Sequence, residues 1–121
     1  MAPNDFQGIL TGLLQRVAGS RGAILLDQEG MPIAHASQGP ALNVEVASAG
    51  AGLLLRETLA AAERLGQGEV GEVLLEGERM TVAMIPLKSA CSLCLLLDSQ
   101  AVLGRSLFEA RRAAFFLDQS L

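Results

Sequence analysis

The amino-acid sequence predicts an α+β fold with the element order αββαβββα, a five-stranded, mainly antiparallel sheet carrying helices on both faces. Three observations point there. Apolar residues recur at 3.6-residue spacing near both ends and in the middle of the chain, polar connections of hairpin type join short apolar runs, and the last two runs are apolar in both alternate sets. Strands of that last kind are covered on both faces, which requires helices above and below the sheet.

Phe6, Ile9, Leu10, Leu13, Leu14 and Val17 fall at i, i+3, i+4, i+7, i+8 and i+11, the stripe of an amphipathic first helix. Asn4 or Asp5 is positioned to cap it, and Gly19 to end it. Ala23 to Leu26 and Ile33 to Ala36 flank Asp27-Gln28-Glu29-Gly30, a polar connection with a late glycine, and read as the first hairpin.

The segment from Asn43 to Leu65 is helical with two apolar stripes. Ala47, Ala51, Leu54, Leu55, Thr58, Ala62 and Leu65 make one face, and Val46, Ala49, Gly50, Leu53 and Ala60 a second. A domain of this size covers one such face with its own elements, so the second points to a partner chain. The run Ala47-Ser48-Ala49-Gly50-Ala51-Gly52 agrees, because small side chains let two helix backbones approach at a crossing. Each of the two glycines lowers helix propensity by about 1 kcal/mol relative to Ala, which calls for a compensating contact.

Val70 to Glu76 and Arg79 to Leu87 flank the turn around Gly77, and Cys91 to Leu97 supplies a fifth strand. Leu103, Leu107, Ala110, Ala114, Leu117 and Leu121 then form the stripe of a last helix, with Asp98 or Ser99 as the expected cap. The terminal helices are expected to share one face of the sheet and the middle helix to cover the other. No linker, repeat or low-complexity tract interrupts this order, so residues 1–121 read as a single domain.

Composition narrows the function. Half of the 121 residues are apolar, which excludes disorder, yet no apolar run approaches the ~20 residues of a membrane span. Nine Lys and Arg against 13 Asp and Glu leave a formal charge of −4 and no basic stripe, which disfavours nucleic acid. The four aromatics are all Phe, leaving few stacking platforms for bases. The N-terminus lacks the basic and apolar segments of a signal peptide, so a cytoplasmic protein without membrane insertion is expected.

Several motifs invite chemistry and fail on context. Gly66-Gln67-Gly68-Glu69-Val70-Gly71 matches the dinucleotide fingerprint, but a helix precedes it and a strand follows, the reverse of what a pyrophosphate requires. Cys91 and Cys94, three apart in a strand, point to opposite faces and read as reduced packing residues. His35 has Asp27 and Ser37 nearby in sequence, but a lone strand histidine is ordinarily structural or solvated. Glu72, Glu76 and Glu78 read as a solvated sheet edge, while Glu109 can pair with Arg105 or Arg112 on an exposed helix face. No catalytic group, metal site or cofactor is expected.

Particular residues in this order resemble the Roadblock/dynein light-chain family, and more closely its prokaryotic MglB-like branch. They are Ile9-Leu10-x-x-Leu13, the stretch Ala18-Gly19-Ser20-Arg21-Gly22-Ala23-Ile24-Leu25-Leu26-Asp27-x-x-Gly30-x-x-Ile33-Ala34, then Ala51-Gly52-Leu53-Leu54, Leu65-Gly66-x-Gly68-Glu69, Val82-x-x-Ile85-Pro86-Leu87 and Leu103-Gly104. The match runs from Phe6 to Leu117.

The resemblance implies a Roadblock-like α/β/α sandwich that forms a homodimer, with the middle helices packed together and the edge strands around Val70 to Glu76 paired. Val70, Glu72 and Leu74 would then lie at the sheet junction. It further implies a protein that binds a Ras-like small GTPase as a regulator or scaffold, without being an enzyme itself. Val46, Ala49, Gly50, Leu53, Glu57 and Ala60 would lie on or beside the docking surface. No arginine here matches a family position that would identify an arginine finger. The alternative is a small-molecule sensor of PAS or profilin-like type, which needs a concave pocket with convergent polar groups; the predicted Leu, Val and Ala interior offers few.

Overall fold

The structure, a computed structural model, describes residues 5–40 and 42–121. Its elements are α1 (Phe6–Arg16), β1 (Ser20–Leu26), β2 (Pro32–Ser37), α2 (Val44–Arg64), β3 (Val73–Glu76), β4 (Met80–Pro86), β5 (Ser92–Asp98) and α3 (Leu103–Ser120). The strands lie side by side in the order β2-β1-β5-β4-β3, and every neighbouring pair is antiparallel. The element order is the expected αββαβββα. β2 and β3 are the two edges.

Local chemistry sets the helix starts. The Asp5 carboxylate accepts the Gly8 N–H at 3.0 Å, and the Asn43 side chain accepts that of Val46 at 3.1 Å. Asn4, the other candidate cap of α1, lies outside the described residues. The expected cap of α3 at Asp98 or Ser99 is not formed. The helix starts after Val102, which makes no side-chain cap, because the Asp98 carboxylate is turned onto the Gln100 N–H at 2.8 Å.

Burial divides the sheet by alternation. On one face Ala23, Leu25, Leu93, Leu95 and Leu97 pack against Leu10, Leu13 and Leu14 of α1 and Ala110, Ala114 and Leu117 of α3. On the other, Ile24, Leu26, Met84, Cys94 and Leu96 lie under Ala51 of α2, with Ala47, Leu54 and Leu55 partly buried around it. The terminal helices therefore share a face and α2 has the other to itself. β1 and β5, at the centre, are buried almost throughout.

Small residues bring α2 close to the β1–β2 hairpin. A Cβ on Gly52 would sit 3.4 Å from the Gly30 Cα, and Gly30 takes a φ of +82° that favours glycine at this turn. Leu65 is the C-cap and is 74% exposed, so it leaves the sheet-facing stripe on which its spacing placed it.

Candidate partner-binding surface

The outward side of α2 is open in the protomer. Val46 is 67% exposed and Leu53 53%, and Ala49, Gly50, Glu57 and Ala60 are exposed beside them. Among the described residues, nothing outside the helix's own backbone lies within 4 Å of where a Gly50 Cβ would stand. The second stripe read from the sequence is thus a row of apolar and small residues facing away from the sheet. The sheet-facing side shows the opposite pattern: Ser48, Ala51, Gly52 and Ala62 are buried.

β3 is shorter than expected and begins at Val73 rather than Val70. Gly66 and Gly68 both take positive φ, and the chain from Gln67 to Glu72 runs as an irregular loop before pairing starts at Val73. Of the three residues expected on the edge strand, only Leu74 is in it. Val70 is half-buried and packs against the α2-side cluster, while Glu72 faces α3 and accepts two hydrogen bonds from Arg111. The expected solvated alternation of Glu72, Glu76 and Glu78 therefore fails at Glu72. Its neighbour Arg111 holds the Glu72 carboxyl below the usual carboxylate range through those hydrogen bonds, against the opposing effect of its partial burial.

The apolar surface at this edge extends beyond the expected residues. Leu75 is 51% exposed, and it pairs with Val82 on the face of the sheet that α2 covers. Met80, two residues before Val82, projects to that same side and is also partly open. Period-2 counting from the buried Val73 would have found Leu75. Leu74 alternates to the side of α1 and α3, so the edge is apolar on both faces.

The residues from which an active site could be assembled are dispersed or engaged. The Asp27 carboxylate accepts the N–H groups of Glu29 and Met31, both at 2.9 Å, and so closes the β1–β2 turn. His35 is exposed on edge strand β2, opposite Ile24. Cys94 packs in the α2-side core, where burial pushes its thiol up to about 12, and Cys91 packs against the opposite cluster. The glycine-rich run follows α2 and opens no helix. Among the described residues, no group of three or more His, Cys, Asp or Glu side chains could hold a metal ion, and no helix is long and apolar enough to cross a membrane.

Comparison with known proteins agrees with this architecture. The Roadblock/LC7 domain matches residues 6–97. The gliding protein MglB from Thermus thermophilus superposes with a TM-score of 0.88 at 25% identity, covering 99% of this chain and 91% of its own. An MglB with a tetrameric arrangement gives 0.88 at 26% identity, with 99% and 90% covered. Myxococcus xanthus MglB shares the fold with a TM-score of 0.86 at 18% identity over 98% and 96% of the two chains. No curated protein matches the sequence significantly. The domain match spans most of the chain, from α1 through β5, and the whole helix–sheet–helix arrangement superposes on MglB, so the chain belongs to the Roadblock/LC7 family, in its prokaryotic MglB-like branch.

Proposed function

We propose that the 121 residues act as one Roadblock domain that forms a homodimer and binds a Ras-like small GTPase, as a regulator or scaffold with no active site of its own. The observation that carries this is the open stripe of α2, with Val46 and Leu53 more than half exposed on a helix whose other side is committed to the sheet. Burying such a stripe against a second helix removes apolar surface from water at roughly 25 cal/mol per Å². Ala49 and Gly50 permit close approach at the crossing. Membership of the MglB-like branch supports the GTPase as partner. Val46, Ala49, Gly50, Leu53, Glu57, Ala60 and Leu74 are the residues proposed for the dimer and docking surface, while Val70 and Glu72 would support it from behind.

Any stimulation of hydrolysis would come from positioning the GTPase's own groups, which a docking surface can do without donating a catalytic side chain. Single-turnover GTP hydrolysis by the cognate GTPase, with and without this protein, separates the two roles: acceleration marks a regulator, and binding without acceleration a scaffold. Failure to bind either nucleotide form would rule out both.

A further inference from the structure

The outer side of α3, turned away from the sheet, is aromatic. Phe108 and Phe115, seven residues apart on one stripe, are 61% and 60% exposed, and Phe116 beside them is exposed as well. Three of the four aromatic residues of the chain thus lie open on one helix, and a contiguous exposed apolar patch marks an interaction site. Phe108 and Phe115 line neither of the hollows between α1 and α3, so they project from a ridge of the surface.

The charges on the same side are sorted by depth. Arg105, Phe108, Arg112 and Phe115 follow one another at i, i+3, i+7 and i+10, with Arg111 alongside. In each ion pair of α3 the guanidinium is the outer partner: the Arg105, Arg111 and Arg112 side chains are 62%, 59% and 49% exposed, against 4% for Glu109 and 25% for Glu72. The other carboxylate of α3, Asp118, is half-buried and accepts the Lys88 backbone N–H at 2.9 Å. In a chain whose net charge is −4, α3 therefore shows water a face of guanidinium groups and phenyl rings, with its carboxylates underneath. Arg105 and Arg112 share Glu109, which leaves one positive charge in excess at this surface.

A protruding aromatic ridge offers a partner peptide no groove to enter, whereas a fluid bilayer closes around it. Phenyl rings reach the boundary of the hydrocarbon, while guanidinium groups beside them stay at the level of the lipid phosphates and donate paired hydrogen bonds to them. Each arginine near an anionic surface adds to the attraction, and three of them with a few rings suit reversible attachment rather than a permanent anchor. We propose that the outer face of α3 docks reversibly on an anionic phospholipid surface, Phe108 and Phe115 entering the interface and Arg105, Arg111 and Arg112 contacting phosphates. The contact is peripheral: among the described residues, no helix is long and apolar enough to cross the bilayer. α3 and α2 lie on opposite faces of the sheet, so the docked protein keeps its α2 surface free, and the inference does not depend on the GTPase reading.

The test is co-sedimentation of the full chain with vesicles of equimolar phosphatidylcholine and phosphatidylglycerol, and with vesicles of phosphatidylcholine alone. In about 0.1 M salt, half of the protein should pellet at about 1 mM lipid in the anionic vesicles, with at least tenfold weaker binding to the neutral ones and release in about 0.5 M salt. The double variant Phe108→Ser/Phe115→Ser changes two side chains outside the core, should keep the wild-type circular dichroism spectrum, and should bind at least tenfold more weakly. Phe115→Ser alone decides the matter if the double variant does not fold. Free glycerol phosphate at about 10 mM should leave the protein on the vesicles, because a soluble phosphate offers nothing to the rings. No pelleting with anionic vesicles, equal pelleting with neutral ones, release by glycerol phosphate, or binding undiminished by the serines would overturn the proposal.

Discussion

Arg111 on α3 grips Glu72 with a two-pronged contact, its Nε–H and an Nη–H donating to the two carboxylate oxygens, the latter at 2.9 Å, across 39 residues of sequence. This pair ties the loop that leads into edge strand β3 to the last helix. It therefore fixes the position of a strand that has a single neighbour in the sheet.

The contribution of that pair should depend on pH in a defined direction. The folded-state pKa of Glu72 lies below its ordinary value of 4.5, so its stabilisation is fully present above that value and is lost as pH falls through the lower, folded-state value. Both side chains are partly in water, so the effect is small, roughly 1–3 °C in melting temperature. Melting of wild type and Glu72→Gln, followed by circular dichroism, should show a gap at about pH 7 that closes in acid. A gap that persists at about pH 2 would mean that the glutamine changes packing rather than charge.

Leu53→Glu should separate assembly from folding. Leu53 is 53% exposed on the outer side of α2, so a charge there changes protomer stability by no more than about 0.5 kcal/mol. In the proposed homodimer it would place two carboxylates in an apolar seam. Light scattering with refractive-index detection should give twice 12.6 kDa for wild type and 12.6 kDa for the variant. Wild type that stays at the monomer mass over the whole concentration series would refute the dimer.

The parts of the fold that are legible in the sequence are those in which local pattern and tertiary environment ask for the same residues. The stripes of α1 and of α3 up to Leu117, strand β5 and the second half of β4 report burial directly, whereas Met80 at the start of β4 and Leu121 at the end of the α3 stripe are exposed; the two faces of α2 are real: Ala51 is buried while Leu53 is not. Pattern misleads where a distant group competes for a local signal. Asp98 looks like a cap for α3 but serves the turn at Gln100, and Glu72 looks like an edge residue but is taken by Arg111. Glu109 has the spacing of an exposed salt-bridged face; its ion pairs form as expected, but α1 buries the carboxylate, and no sequence spacing shows which side of α3 lies beside α1.

Ala90 offers a test of stored backbone strain. It sits in the β4–β5 turn with φ of 64°, where an L side chain is disfavoured by about 1–2 kcal/mol. The turn is closed by the Leu87 N–H donating to the Cys91 carbonyl at 2.8 Å, so the conformation is held by its flanking strands. Ala90→Gly removes the clash but adds freedom to the unfolded chain, for a net stabilisation of about 0.5–1 kcal/mol. Urea denaturation should show a higher midpoint at unchanged slope. An unchanged or lower midpoint would show that the turn tolerates alanine without strain.

Gly50→Ala is the sharpest test of the α2 stripe, because the protomer and the proposed dimer make opposite demands on it. In the protomer a methyl group at this position meets nothing within 4 Å among the described residues, and alanine favours the helix over glycine by about 0.8–1 kcal/mol. At a crossing of two α2 helices the same methyl group would hold the backbones apart and loosen the contacts on either side. In the Leu53→Glu background, Gly50→Ala should therefore raise the melting temperature. In the otherwise wild-type chain it should raise the dimer dissociation constant by tenfold or more. Gly52→Ala serves as the control: its methyl group would come within 3.4 Å of the Gly30 Cα, so the helix gain is offset inside the protomer and the dimer is left alone. If Gly50→Ala stabilises the protomer and leaves the dissociation constant where it was, the crossing does not pass through Gly50. The small residues would then serve only the approach of α2 to its own β1–β2 hairpin.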